Sequence, residues 1–165
     1  MLTADQPLLG LTARELMKHP VVRIPEGMSL AAAARLLQKE QISGAPVVNP
    51  EGRCVGVLSA GDFLRHAQDA GAARPRSAAC PPEVCSEWQV FDAETLPRDE
   101  VRHHMSLDVV SCTLEEPIAA VAHQMLNAHI HRVIVLDAHG RPVGVVSSTD
   151  VVAAVAAHHS GKKQW

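Results

Sequence analysis

Apolar residues recur at helical spacing in some stretches of the chain and form short runs in others, and these patterns predict its secondary structure. Residues 30–40 have one apolar face, made by Leu30, Ala33, Ala34 and Leu37, and Ser29 precedes them as a helix cap. A shorter helix at 11–17 has Thr12 as its cap and Glu15 three residues on. The remaining predicted elements here are strands at 21–24, 45–48 and 54–58 and a helix over 62–67.

The same order of elements occurs a second time. Gly-Val-Leu-Ser-Ala-Gly-Asp at 56–62 and Gly-Val-Val-Ser-Ser-Thr-Asp at 144–150 stand 88 residues apart, Gly56 against Gly144, and the same offset aligns residues 17–62 with 105–150 without a gap. The chain is therefore an internal repeat of one folding unit. The second copy is predicted to contain strands at 109–112, 133–136 and 143–146 and helices at 117–128 and 150–157.

The repeat predicts the domain organisation. We expect the first copy to span residues 11–67 and the second 101–158, with a linker at 68–100 and a tail at 159–165. The linker contains Cys80 and Cys85, which could bind a metal or cycle as a thiol pair, although their spacing is not that of a zinc ribbon. Cys54 and Cys112 lie in predicted strands and are expected to be reduced core residues.

Composition narrows the function classes. A formal net charge of −3 and a pI near 6.3 argue against a non-specific nucleic-acid binder, which needs a basic face. No apolar run is long enough to span a bilayer and the first ten residues do not have a signal-peptide pattern, so we expect a cytoplasmic protein without a membrane partner. No nucleophile elbow or phosphate-loop lysine motif is found, so an enzyme is not predicted.

The candidate chemistry lies where a strand turns into a helix, at 144–150. A helix start offers backbone N–H groups and a positive dipole end, which suit a phosphate, and Asp150 offers two oxygens for ribose hydroxyls. A purely structural role is the alternative explanation: Ser147 with Asp150, and Ser59 with Asp62, could be capping boxes that bind no ligand.

The paired unit, its Gly-Val-Val-Ser-Ser-Thr-Asp ending and the run Ala-His-Ile-His-Arg-Val-Ile-Val at 128–135 resemble a tandem of cystathionine-β-synthase (CBS) domains, or Bateman module. The resemblance implies an α/β fold (α+β in some schemes) of two βαββα repeats packed about a pseudo-twofold axis. It also implies an adenosine nucleotide such as AMP, ADP or ATP in the cleft between the repeats, no required cofactor, a homodimer and an effector protein of unknown identity. With no enzyme domain beside the pair, the chain looks like a stand-alone CBS protein.

The resemblance also implies roles for individual residues. Asp150 would bind the ribose, and Ser147, Thr149, His131 and Arg132 would meet phosphate. The adenine would lie against aliphatic and main-chain groups of the first strands, at Val110, Ser111, Cys112, Ile24 and Pro25.

The two copies differ at the phosphate-facing positions. The first copy keeps Asp62 and Ser59, but Ser43-Gly44 stands where the second has His131-Arg132. We therefore expect one strong nucleotide site and one weak or unfilled site. Two other hypotheses stay open: a structural dimerisation module without ligand, and a redox- or metal-responsive protein acting through Cys80 and Cys85.

Overall fold

The structure is a computed structural model that describes residues 10–69, 96 and 99–160. The described residues form two compact units, one within residues 1–21 and 110–165 and the other within residues 22–109. The elements in the second of these are β1 (Ile24–Pro25), α2 (Leu30–Lys39), β2 (Gly44–Val48), β3 (Cys54–Ser59), α3 (Ala60–Asp69) and a 3₁₀ turn (Val101–His103). The first contains α1 (Ala13–Leu16), β4 (Ser111–Thr113), α4 (Ile118–Ala128), β5 (Arg132–Leu136), β6 (Pro142–Ser147) and α5 (Ser148–Ser160).

Each unit has one three-stranded sheet with the same topology. The strand orders are β1-β2-β3 and β4-β5-β6, the first pair being parallel and the second antiparallel in both sheets. A register shift interrupts the antiparallel pair after Val47 in one sheet and after Val135 in the other, again 88 residues apart. The predicted α/β class and the repeat are confirmed.

Backbone conformation repeats with the same offset. Gln41 and His129, one after each long helix, have φ angles of 53° and 52°, and the hairpin residues Gly52 and Gly140 have φ angles of 79° and 74°. Gly52 donates its N–H to the carbonyl of Asn49, which closes the turn at 49–52. Glycine adopts this left-handed conformation without a steric penalty, so its presence in both turns has a physical reason.

The cores follow the predicted apolar faces. All four residues of the predicted face of α2, namely Leu30, Ala33, Ala34 and Leu37, are fully buried, and they pack with β1 to β3 and with Phe63. The other core contains Ile118, Val121 and Met125 of α4 together with residues of β5 and β6.

Each unit also contains a leader segment from the other sequence copy. Residues 11–18 belong to the unit that holds the rest of the second copy, and residues 99–106 belong to the unit that holds the rest of the first copy. The Ala13 N–H donates to the carbonyl of Glu116 at 2.9 Å, and at the same offset the Val101 N–H donates to the carbonyl of Met28 at 2.8 Å. Lys18 pairs with Val145 beside β6 in the same way. The unit within residues 1–21 and 110–165 is therefore discontinuous in sequence, whereas the other lies in the single range 22–109. The repeat bounds 11–67 and 101–158 stay predictions about sequence similarity.

Several predicted element bounds are wrong. The strand expected at 21–24 is reduced to Ile24–Pro25, because only these two residues pair with β2. The helices expected to start at 62 and 150 begin two residues earlier, because a serine caps each of them, and α5 continues to Ser160. Pro117 is the residue before α4 and not its first helical residue.

Some sequence predictions lie outside the described residues, including those for Cys80, Cys85 and most of the linker. Within the described part of the chain, no helix combines the length and the apolar character needed to cross a bilayer.

Gly144→Ala should destabilise the unit that contains β6. A Cβ at this position would lie 2.9 Å from both Cβ and Cγ of Met17, in the leader segment, so that segment would have to shift. We expect a loss of about 2 kcal/mol in the free energy of unfolding, measured by urea denaturation. Gly61→Ala is the control, because its nearest contact is an ordinary 3.6 Å, and an equal loss in both variants would contradict the packing argument.

Candidate functional site

The candidate site is centred on the turn between β6 and α5. Ser147 donates its N–H to Oδ2 of Asp150 at 2.8 Å and its hydroxyl to the same oxygen, and Asp150 returns its N–H to the Ser147 Oγ at 3.2 Å. The capping box is therefore present. It uses both acceptor positions of Oδ2, because a carboxylate oxygen has about two. The other oxygen, Oδ1, takes no part in the capping box.

A lysine from the leader segment pairs with Oδ1. The Nζ of Lys18 lies 3.1 Å from Oδ1 of Asp150, and the Lys18 backbone is held beside β6 by two hydrogen bonds with Val145. The lysine side chain is 76% exposed whereas that of Asp150 is 13% exposed. Such a solvent-screened pair stabilises a protein by at most about 1 kcal/mol. Sequence reasoning missed Lys18, because nothing in the repeat indicates which strand the leader segment joins.

Asp150 is held in its ionised form. Its partial burial raises the pKa, but the hydrogen bonds from Ser147 and the ammonium of Lys18 outweigh this effect, so the pKa of Asp150 is below its usual value. The side chain is therefore a carboxylate at neutral pH, and it can accept hydrogen bonds from hydroxyl groups.

Three of the predicted phosphate-facing residues lie around the same turn. Arg132 is directly opposite Ser147 in the antiparallel pair of β5 and β6, so their side chains share one face of the sheet at its end. Thr149 is exposed in the first turn of α5. The structure thus brings a guanidinium, two hydroxyls and a carboxylate to one end of the sheet.

The prediction of free backbone N–H groups at the helix start is wrong for two residues. Ser148 donates its N–H to the carbonyl of His131 at 2.9 Å, and the N–H of Asp150 is used by the cap. His131 is therefore fixed beside the turn by its main chain, while its side chain is exposed. The cationic and hydroxyl side chains, more than these amides, are the groups that could meet a phosphate.

The residues proposed for adenine lie at the start of β4. Because β4 runs parallel to β5, its first residues are at the same end of the sheet as Arg132. The Val110 carbonyl accepts the N–H of Ile134 at 3.3 Å, and Ser111 is half-buried. Cys112 is a core side chain whose burial raises the pKa of its thiol to about 11, with a further contribution from Glu116. Only its main chain could face a ligand.

The first copy uses its equivalent carboxylate internally. Asp62 is buried and accepts the N–H and the hydroxyl of Ser59, both at 2.7 Å, on one oxygen. Its other oxygen accepts the Ser106 hydroxyl at 2.9 Å and the guanidinium of Arg65. These four donors use all of its roughly four acceptor positions. The residue that corresponds to Arg65 in the second copy is Ala153, so Asp150 has no such partner in α5.

The other first-copy candidates differ in exposure. Ile24 is fully buried in the core of its unit, whereas Pro25 is exposed. As with Cys112, the side chain of Ile24 is unavailable to a ligand and only its backbone could contribute.

A separate groove of about 410 Å³ lies between α4 and α5. Its lining includes His131 and Ser148 but neither Asp150 nor Arg132. Most of the lining is aliphatic, and this groove does not contain the carboxylate and guanidinium of the candidate site. The complete lining is Ala122, Met125, Leu126, His129, Ile130, His131, Ser148, Val151 and Val152.

Metal and thiol chemistry receives no support from the described part of the chain. Among those residues, no three or more His, Cys, Asp or Glu side chains are grouped so as to hold a metal ion. Burial raises the pKa of Cys54, although a hydrogen bond with the backbone of Gly56 partly opposes this, so its thiol is protonated at neutral pH.

Comparison with known proteins identifies the repeat. The family profile described as CBS domain matches residues 13–69 and again residues 100–157. The uncharacterized protein MJ1426 of Methanocaldococcus jannaschii is 28% identical, over 86% of this chain and 89% of its own length. The homoserine O-acetyltransferase of Methanococcoides burtonii is 26% identical over 87% of this chain, but the chain spans only 24% of that enzyme.

Solved structures share the fold. CBSX2 in complex with AMP has a TM-score of 0.66 at 23% identity, over 89% of this chain and 97% of that one. The CBS domain pair of protein MJ0100, in complex with 5′-methylthioadenosine and S-adenosyl-L-methionine, has a TM-score of 0.66 at 21% identity, over 88% and 96% of the two chains. At these identities the likeness shows a common fold.

Asp62 should matter more for stability than Asp150. Asp62→Ala leaves the N–H and hydroxyl of Ser59 and the hydroxyl of Ser106 without their buried acceptor and removes the ion pair with the exposed Arg65, so we expect a loss of about 2 kcal/mol in the free energy of unfolding. Asp150→Ala removes one helix-capping partner and an exposed ion pair, at a cost of about 1 kcal/mol. Urea denaturation of both variants measures the difference, and equal losses would contradict the assigned structural role of Asp62.

Proposed function

This chain belongs to the CBS-domain family, and we propose that it is a regulatory module that binds an adenosine nucleotide, with AMP, ADP or ATP as its ligand. The observation that carries the proposal is the meeting of Asp150, Ser147 and Arg132 at one end of the β4-β5-β6 sheet. Two structures with the same fold are complexes with AMP or with other adenosyl compounds, which supports this ligand class.

The proposed contacts follow from the chemistry of each group. The ionised Asp150 accepts hydrogen bonds from the ribose hydroxyls, since its pKa is depressed. Arg132 offers a planar fork of donors that matches phosphate oxygens, and Thr149 adds a hydroxyl. His131 is a further phosphate contact in this proposal. Val110 and Ser111 lie at the start of the neighbouring strand, where the adenine would meet main-chain groups.

We propose that the second-copy site is the strong one. Asp62 has four internal donors and therefore has no acceptor position left for a ribose, whereas Asp150 has only three. In addition, the first copy lacks the cation. Gly44 and Arg132 both lie opposite the capping serine of their sheet, so the glycine occupies the position at which the second copy has a guanidinium. The first-copy site is proposed to be weak or without ligand.

Regulation requires that the ligand discriminates between two states of the protein. A nucleotide shifts an equilibrium only if it binds one arrangement more tightly than the other. We propose that the arrangement recognised by the effector protein differs from the other arrangement in its affinity for the nucleotide. If no adenosyl compound binds, a structural dimerisation module becomes the preferred function.

Adenosyl compounds should stabilise the protein against heat. At a ligand concentration 100 times the dissociation constant, the expected gain is about 2.7 kcal/mol, measured by thermal shift with AMP, ADP and ATP. Asp150→Ala and Arg132→Ala should each remove most of this gain, because they delete the ribose and phosphate contacts. Asp62→Ala should keep the ligand-induced part of the shift although its baseline is lower.

Arg53→Ala is the matched control for Arg132→Ala, because Arg53 is an exposed arginine near the hairpin turn of the other unit. A ligand-induced shift in the unaltered protein that survives Asp150→Ala and Arg132→Ala, or that falls equally in Asp62→Ala, would contradict the assignment of the strong site.

We also propose that the protein is a homodimer formed through α4 and α5. Leu126 is 69% exposed and Val152 is 66% exposed, and both line the aliphatic groove between these helices. Gln38, a polar residue, occupies the position of Leu126 in the first copy, whereas Leu64, 44% exposed, occupies that of Val152. The α4 part of the apolar surface is therefore specific to the second copy. A second protomer that presents the same face in a twofold arrangement would cover these side chains.

Leu126→Glu should weaken the dimer by about 2 kcal/mol or more, because a carboxylate would be buried against aliphatic groups. Sedimentation velocity across a range of concentrations measures the change. Leu107→Glu is the control, since Leu107 is 72% exposed but lies outside both helices. A monomeric unaltered protein, or equal weakening by both variants, would refute this interface.

A further inference from the structure

Lys18 is the one charged partner of Asp150 in the described structure, and it comes from the leader segment 11–18 at the start of the first copy. Its Nζ lies 3.1 Å from Oδ1 of Asp150. The equivalent residue, 88 positions later, is Ser106, which places a neutral hydroxyl 2.9 Å from Oδ1 of Asp62. The two units therefore have the same backbone pairing at this position but different charges beside the carboxylate.

The pair combines a fixed anion with a movable cation. Asp150 is held by two hydrogen bonds from Ser147 and is largely buried. The backbone of Lys18 is fixed beside Val145, but its side chain is mostly exposed and has four rotatable methylene groups that can carry the ammonium to a new partner. Breaking the pair costs little, because it is screened by solvent.

The acceptor count at Asp150 makes this movement relevant to binding. Oδ2 is fully used by the capping serine, and Lys18 takes one of the roughly two acceptor positions of Oδ1. Two ribose hydroxyls that both donate to Oδ1 need both positions. A ribose bound in this way displaces the ammonium, which then needs another anion nearby.

We propose that Lys18 is a specificity-determining residue that selects adenosine ligands carrying a phosphate over those that do not. This inference rests on the proposed function of the same site. Lys18 pairs with Asp150 in the structure, and it transfers to the ligand phosphate when the ribose hydroxyls take Oδ1. Lys18 thus compensates the carboxylate in one state and the phosphate in the other.

The charges of the site support phosphate selection. Lys18 and Arg132 place two positively charged side chains at the end of the sheet that holds Asp150. A 5′-phosphate is attracted by both. 5′-Methylthioadenosine has no phosphate and gains nothing from Lys18, and the positive sulfonium of S-adenosyl-L-methionine is repelled by it.

The test compares two ligands in two variants. Isothermal titration gives the dissociation constants of AMP and 5′-methylthioadenosine for the unaltered protein and for Lys18→Met. We expect Lys18→Met to weaken AMP about tenfold, which corresponds to 1.4 kcal/mol, while the affinity for 5′-methylthioadenosine changes less than about twofold. Lys18→Gln, which is polar but neutral, should behave like Lys18→Met. Lys39→Met, at an exposed lysine at the end of α2, should change neither affinity.

The outcomes separate this inference from the proposed function. Unchanged AMP affinity in Lys18→Met, or an equal loss for both ligands, would overturn the role of Lys18 and leave the nucleotide site in place. An unaltered protein that binds 5′-methylthioadenosine more tightly than AMP would do the same. If neither ligand binds the unaltered protein, the proposed function fails and the role of Lys18 fails with it.

Discussion

The pairing of each leader segment with a strand of the other sequence copy is the constraint on which the candidate site depends. Lys18 bonds to Val145 through its main chain, and Ser106 bonds to Val57 in the same way. At each of these backbone pairings a methionine of the leader segment packs directly on a glycine of the strand. The methionine lies so close to Gly144 or Gly56 that a Cβ at the glycine would not fit. This close packing carries residue 18 or 106 to the carboxylate of the capping box. Without it, neither Asp150 nor Asp62 would have its partner from the leader.

The two copies share one backbone arrangement, but their capping carboxylates have different partners because a few side chains differ. Both copies have the same sheet, the same serine-aspartate cap and the same left-handed residues after the long helix. In the first copy, Arg65 and Ser106 complete the hydrogen bonding of Asp62, which makes this residue a structural carboxylate. The second copy has Ala153 in place of Arg65, so Asp150 remains accessible. In the proposed function, stability and ligand recognition are divided between these two equivalent positions.

A helix cap and a ribose site are compatible uses of one carboxylate. The cap engages Oδ2 and orients the group, and Oδ1 remains for a second partner. The structural and functional explanations of the repeated motif are therefore not alternatives in the second copy. They exclude each other only in the first copy, where every acceptor position is used.

The sequence by itself determined the repeat, the element order, the capping serines and the core face of α2, because periodicity, turn residues and caps act over a few neighbouring residues. It also showed that the position equivalent to Arg132 in the first copy is Gly44, which has no positive charge. Only the tertiary structure decided that Lys18 meets Asp150, that Asp62 is fully bonded, and that Ile24 is a core side chain. Those facts depend on contacts between residues more than 40 positions apart, or on which face of a strand is covered, and local patterns contain no information about such pairings.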